Sequence, residues 1–337
     1  MSDVIQPAHV DARERVRRRQ WLQHVSLIII IGVLAVFAWL SPIFLTLTNL
    51  GNVLQQTAVV GTLALGLTLV LSGGGVQGIS GGIDLSVAAN LGLSAAVFAT
   101  LIAAGQPISV ALLLTLATGA AVGLFNAFAI VWLGILPLLA TLTSMNIALG
   151  LEMVLTGNAS VSASSDLQNS LIANGPFNVS WLGWAFLLLA FIAIALSRFT
   201  AFGIRLQAVG SHPHAANAAG IGVKRYRSLS YVFCGISAAL AAVASVSLLS
   251  GSSPGANDNL LMVIAAALLG VVFSRRLVPT LGGALISAFF LSLIANGFQL
   301  VNISSYWING VEGVLIIFVV ALTALLRRRQ QRGTQGV

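Results

Sequence analysis

The sequence predicts an all-α, polytopic membrane protein with about ten transmembrane helices. Three observations carry that class: the balance of apolar to charged residues, the length of the apolar runs, and the places where the basic residues stand. Of 337 residues, 58% are hydrophobic and only 7% are charged, too little charge to clothe a soluble domain of this size. Residues 25–44 illustrate the runs: 13 of the 20 are Leu, Ile, Val or Phe. Each such residue favours insertion by about 0.3–0.6 kcal/mol, so the segment enters a bilayer with about 4–8 kcal/mol in hand.

Ten runs of this kind lie near 25–44, 55–72, 84–104, 108–131, 133–156, 181–197, 228–249, 260–274, 279–298 and 308–326. Most approach the roughly 20 residues needed to cross a hydrocarbon core of about 30 Å. Backbone groups in lipid need partners within the segment, and the alternating pattern of a barrel strand is absent, so the runs are helices.

The basic residues test the count. With a cytoplasmic N-terminus, ten crossings leave four regions inside: the tail to Arg19, the stretch 198–227, Arg275 with Arg276, and the end from Arg327. Those four regions hold all 16 Lys and Arg of the chain. Basic residues are retained on the cytoplasmic side, so both termini are expected there. The chain then divides into a basic tail (1–24), one transmembrane domain (25–326) and a second basic tail (327–337). The net charge of +8 reports this topology and gives no reason to expect nucleic-acid binding. The Arg-rich tail suits contact with anionic membrane lipid. The first run is too long, and lacks the small-residue cleavage pattern, for a cleaved signal peptide.

In chain order, the first helix is followed by an expected outside turn, SPIFLTLTNLGNVLQQ. The second helix runs into a stretch holding Gly73, Gly74, Gly75, Gly78, Gly81 and Gly82. At up to about 1 kcal/mol per glycine, a regular helix cannot persist there. A broken helix is expected near 73–84, beside a polar pathway of the kind formed by interrupted membrane helices. Asp84, with Ser86 two residues on, either caps the next helix or lines that pathway, and one position serves both. Residues 105–107 make a short outside turn. Asn126, Asn146 and Glu152 are either hydrogen-bond partners between helices or ligand contacts. The polar outside loop 156–180 carries Asp166 and no basic residue, and Asp258 stands in the next outside turn. Cys234, the single cysteine, is read as packing material. Tyr306 and Trp307 suit the aromatic belt, and Glu312 falls near the interface.

The long basic interruption, 198–227, carries signals for a short helix near 213–219. Ser211 or His212 precedes it, Pro213 opens it, an Ala-rich body follows and Gly220 ends it. So short a helix needs something to pack against, its own bundle or a partner.

Catalytic signatures are missing. The chain has no HExxH, GxSxG or Cys/His cluster. Its single lysine, Lys224, is followed by Arg225, where a phosphate-binding loop needs Ser or Thr. The chain is therefore read as no enzyme, with no cofactor or metal of its own, and energy for any transport must come from a partner or a gradient.

GLTLVLSGG with SGGIDLSVAAN, ATL at 140–142, TAFGIRLQAVGSHPHAANAAGI and ANGFQLVNISSYW together resemble the inner-membrane permease subunits of ribose-type ABC importers, in order from about residue 50 to 325. The resemblance implies a permease of the bacterial inner membrane that dimerises, with an identical chain or a related one. It implies two cytoplasmic ATP-binding subunits, which carry the ATP and Mg, and a periplasmic sugar-binding protein. Gly203, Ala208, Gly210, His212, Ala215, Ala216, Gly220 and Ile221 then fall in the loop that couples to the ATPases. Gly82, Asp84, Ser86, Asn90, Asn146 and Asn296 fall on the substrate pathway. The sequence departs from that pattern at 72–79, an insertion, and at His212, where the family usually has Asn.

The expected function is ATP-driven import of a small neutral polar solute, a pentose or hexose before nucleosides, cyclic polyols or a furanosyl signal. Sparse intramembrane charge agrees with a neutral cargo. The main rival is a gradient-driven transporter using Asp84, Glu152 or Glu312 as ion sites, and a non-transporting scaffold is a third.

Overall fold

A computed structural model describes residues 31–74, 82–254, 259–274, 278–303, 307, 310, 313, 314 and 317. Expectations for the two tails, most of the 308–326 helix and Glu312 lie outside the described residues. Among the described residues a helix falls in each of the first nine expected runs, and six of these helices are long and apolar enough to cross a membrane.

The bundle is built round α2 (Leu47–Gly74), a helix of 28 residues that is buried along almost all of its length. A helix apolar on every side has no solvent face and belongs inside. Beside it lie α10 (Val223–Leu249) and α12 (Leu281–Leu300), with α11 (Leu260–Val272) against α12. Helix α3 (Val87–Ala103) packs between α10, α5 (Pro137–Thr156) and α4 (Ile108–Ala127). The exposed large apolar residues gather on α4, α5 and α7 (Trp181–Phe199), as expected of faces turned to lipid or to another subunit. Helix α1 (Ile31–Leu40) is held by Phe37, whose ring meets Phe298 edge-on at 5.3 Å and sits in the notch at Gly297.

Small residues set the closest crossings. Gly119 and Gly123 of α4, four apart on one face, meet Gly235 and the Tyr231 carbonyl of α10 backbone to backbone. Gly270 of α11 meets Gly283 and Ala284 of α12 in the same way. Membrane helices gain packing by such approach, since apolar burial alone does not distinguish a neighbour helix from lipid.

Three expectations need correction. The turn expected through Gln56 ends much earlier, because Thr46 Oγ1 accepts from the Asn49 N–H at 3.3 Å and starts α2 at Leu47. The 198–227 stretch is not one loop with one helix: α8 (Ala201–Ser211) precedes α9 (Pro213–Ala218). The 156–180 loop, in turn, is ordered by α6 (Asp166–Ile172) and by β1 (Val161–Ser162), which pairs antiparallel with β2 (Gly251–Ser252) after α10. Ser165 caps α6 from the side-chain oxygen, and Gln168, three residues on, reaches back to the Ala163 and Val246 carbonyls, a capping-box spacing that also pins the loop to α10.

Candidate functional site

Two constellations stand out, a buried polar knot in the bundle and the α8–α9–α10 segment.

The knot forms where the chain leaves helical geometry. Helix α2 is described to Gly74, residues 82–84 are non-helical, and α3 starts at Val87. Gly82 is buried against Gly74, where an added Cβ would stand 2.8 Å from the Gly74 Cα and 3.1 Å from the Val70 carbonyl oxygen. The two ends of the glycine-rich stretch therefore touch. Ser86, not Asp84, is the N-cap of α3, and it makes no side-chain cap bond. Asp84 instead accepts from the Ser86 N–H at 3.0 Å and the Ser86 hydroxyl at 2.6 Å. The Asn126 amide donates to Ser86 Oγ at 2.8 Å and lies 3.3 and 3.4 Å from the two Asp84 oxygens. Ser144 of α5 donates to Asn126 Oδ1 at 2.6 Å, and the Cys234 thiol lies against the Asp84 carboxylate. Asp84, Ser86, Asn126 and Cys234 are all buried, as is Tyr231, whose hydroxyl has no partner among the described residues.

Cys234 is about 17 Å along α10, near the middle of that helix, so the knot sits at mid-bundle. Its donors converge on one carboxylate, which a low-dielectric interior tolerates only with such satisfaction. Just after Asn126 the helix loosens into a π turn, Phe128–Trp132, a form often found beside functional positions.

Of the other pathway candidates, Asn90 is buried on α3, donating to the Gly119 carbonyl at 3.2 Å and accepting from Ser94. Asn146 is exposed on α5 and, among the described residues, its amide donates only to the Leu142 carbonyl one turn back. Asn296 lies away from the knot: its amide pairs reciprocally with Asn49 at 2.8 and 3.1 Å, and Asn49 also donates to the Phe44 carbonyl. Glu152 is buried on α5 with its carboxylate against Gly92 of α3.

The Asn pair leads to a stability prediction. Asn296→Leu leaves a buried acceptor on Asn49 unmet and is expected to cost about 1–3 kcal/mol. Asn49→Leu with Asn296→Leu is expected to cost less than the two singles added, by at least about 0.5 kcal/mol. Thermal midpoints of the four proteins in detergent check it; strict additivity would show that the pair does not couple.

In the second constellation, His212 holds the N-cap position of α9 without a side-chain cap bond, and Pro213 opens the helix. The end is a Schellman turn. Gly220 takes φ +78°, its N–H donates to Asn217 O at 3.0 Å, and the Ile221 N–H donates to Ala216 O at 2.9 Å. Glycine adopts that left-handed conformation without the cost a Cβ brings. Ala216 faces inward, while His214, Ala215, Asn217 and Ala218 are exposed. On α8, Gly203 and Gly210 are buried and Ala208 is half-buried; Gly203 lies hard against the Ser197 carbonyl, where no side chain fits. Ile221 is half-buried after the turn.

The contacts made by the basic residues here leave no local signal in the sequence. Arg227 Nε donates to the Gly73 carbonyl at 3.2 Å, Arg205 donates to Tyr226 Oη at 3.2 Å, and Lys224 Nζ stands 5.2 Å from the centre of the Trp132 ring.

Comparison with known proteins places this architecture. The ribose import permease protein RbsC of Escherichia coli (strain K12) is 32% identical over 308 residues, covering 90% of this chain and 94% of that protein. The galactose/methyl galactoside import permease protein MglC of Salmonella typhimurium (strain LT2) is 28% identical, covering 92% and 97%. The autoinducer 2 import system permease protein LsrC of Enterobacter sp. (strain 638) is 30% identical, covering 94% and 90%. Residues 49–320 match the family described as branched-chain amino acid transport system / permease component. The chain belongs to that permease family and is a multi-pass permease subunit of the bacterial inner membrane.

Proposed function

We propose that this chain is the transmembrane subunit of an ATP-driven importer for a small neutral polyhydroxylated solute, a pentose or hexose, delivered by a periplasmic binding protein. The ATP-binding subunits dock on α9 within the 198–227 segment, two permease chains enclose the pathway, and both tails lie in the cytoplasm. The observation that carries this reading is α9. It is a six-residue helix, too short to stand alone, yet shaped by Pro213 and the Gly220 turn and showing small or polar groups outward. That is the form of a part that seats in a partner's socket. The names of the relatives support a sugar-like cargo, and their range supports a polyhydroxylated class over any one member.

In this reading the knot holds the broken segment in register beside the pathway. Thr143, Asn146 and Gly150, exposed along one face of α5, line the route or the seam between the two chains, since an amide facing lipid is costly. ATP binding closes the ATPases, moves α9 and shifts the pair between inward- and outward-open states, with differential affinity supplying the drive.

Ala215→Asp tests the docking. Position 215 is in the first turn of α9, where an acid suits the helix dipole, so the helix is expected to persist. A charge placed in the socket is expected to weaken retention of the ATP-binding subunit at least about tenfold, or 1.4 kcal/mol. Tagged permease is drawn from native membranes in mild detergent, its companions are identified by mass spectrometry, and ATP hydrolysis is measured on the eluate. Recovery of an ATPase and a sugar-type binding protein with the wild type, and loss of the ATPase with Ala215→Asp, is the expected result. A wild-type permease that comes alone and transports on an ion gradient would replace this reading with the gradient-driven one. The buried Glu152 carboxylate against Gly92 is the feature that favours that rival.

A further inference from the structure

The last described turn of α2 lies at the edge of the glycine-rich stretch. Gly73 sits in a cradle made by the two helices that flank α9. An added Cβ on Gly73 would stand 2.9 Å from Leu206 Cδ1 of α8 and 3.4 Å from Ser230 Oγ of α10. Arg227, on the first turns of α10, closes the cradle by donating from Nε to the Gly73 carbonyl at 3.2 Å. A guanidinium bonded to a carbonyl in the last described turn of a helix also suits the negative end of the helix dipole.

The cradle is tied to α9 by direct contacts. Arg205 bonds Tyr226, the Phe202 ring stands 6.0 Å from Tyr226 and 5.3 Å from Phe233, and the Gly220 turn joins α9 directly to α10. Beyond Gly73, the chain returns at Gly82 against Gly74 and enters the Asp84 knot. A displacement of α9 therefore has a short, contiguous route to the break: α8 and α10, then the end of α2, then Gly82 and Asp84.

We propose that Arg227 is a positioning residue that transmits movement of the ATPase-docking segment to the end of α2 and so to the break beside the pathway. The proposal rests on the importer reading above. Among the described residues Arg227 is the one basic side chain of 198–227 with a hydrogen bond to a transmembrane helix on the far side of the break.

The test follows the helix end itself and needs no knowledge of the transported sugar. Complexes of the permease with its co-recovered ATPase are placed in lipid nanodiscs. Hydrogen–deuterium exchange is then followed in peptides covering 66–74, without nucleotide and with ATP plus vanadate. In the wild type, exchange at the end of α2 is expected to change at least about fivefold between the two states. Arg227→Met, which keeps the aliphatic stem, is expected to retain the ATPase and its hydrolysis within about twofold, while the nucleotide-dependent change disappears. Arg227→Lys, which keeps a charged donor, is expected to restore part of it. A merely structural role would alter exchange equally in both states and leave their difference in place.

Wild-type complex with bound ATPase and no change at 66–74, or Arg227→Met with an undiminished change, would overturn the proposal. Loss of the ATPase on Arg227→Met would also overturn it, by making Arg227 a docking contact. Should Arg227→Met fail to fold, Gly73→Val decides, since it pushes α2 from the cradle without touching a charge: a wild-type exchange difference there would sink the idea. Absence of any ATPase from the wild-type preparation is a different result, and it removes the importer reading itself.

Discussion

Gly235→Val is expected to lower the thermal midpoint of the detergent-solubilised protein by at least about 4 °C, corresponding to about 3 kcal/mol for a chain of this size. The reason is backbone contact. A Cβ on Gly235 would fall on the Gly119 carbonyl; one on Gly119 would fall on the Gly235 carbonyl and stand 2.7 Å from the Ala239 Cβ; one on Gly123 would stand 2.5 Å from the Tyr231 carbonyl oxygen. Overpacking a core costs about 1–3 kcal/mol when side chains can yield. Here the neighbour is main chain on a helix, so α4 and α10 must separate along two turns. That separation also draws Asn126 away from the Asp84 side of α10, loosening the knot. Gly282→Ala is the control: an added Cβ there meets nothing within 4 Å, and alanine favours a helix over glycine by up to about 1 kcal/mol. A Gly235→Val protein that melts with the wild type would show that the two backbones do not touch.

The helices were legible because apolar runs near 20 residues have one physical outcome in a bilayer, and the break was legible because six glycines between positions 73 and 82 cannot all pay the entropy of a helix. The α9 helix was legible from Pro213 and Gly220, whose backbone preferences are local. What escaped was non-local or overwritten by context. The start of α2 was placed late because LTLTNLGN contains polar residues that read as a turn, whereas Asn49 is satisfied by Asn296, 247 residues away. Helix α8 was hidden by its charge and its glycines, although Gly203 and Gly210 are there for close packing. Arg227 and Lys224 carried a topological signal strong enough to mask their individual contacts. The knot was half visible: Asp84 and Ser86 came from the motif beside the break, but only the fold brings Asn126, Ser144 and Cys234 to them. Asn146 and Asn296 share the amide chemistry of Asn126 and Asn90, and no local pattern separates an amide in the knot from one paired elsewhere.

Asp84 offers the sharpest division between the two transport readings. Asp84→Leu removes the acceptor for the Ser86 N–H, the Ser86 hydroxyl and the Asn126 amide, leaving buried donors unmet at about 1–3 kcal/mol each. Because those donors share one network the losses do not simply add, and a total of about 3–5 kcal/mol is expected, enough to deplete folded protein from the membrane. Asp84→Asn is milder. Its remaining oxygen can accept both Ser86 bonds, while its new NH2 replaces the Oδ2 that faces Asn126, setting donor against donor at a cost of about 1–2 kcal/mol. Midpoints are therefore expected to fall in the order wild type, Asn, Leu. The functional consequence depends on what the carboxylate does. If it organises the break of an ATP-driven permease, Asp84→Asn keeps ATP-dependent uptake in reconstituted vesicles to within about tenfold, a cost of about 1.4 kcal/mol. If it carries the coupling ion of a gradient-driven transporter, loss of the ionisable group abolishes uptake while the protein remains folded. A folded Asp84→Asn protein with no uptake would therefore count against the structural role assigned to Asp84, and sustained ATP-driven uptake would remove this carboxylate from the ion sites of the rival.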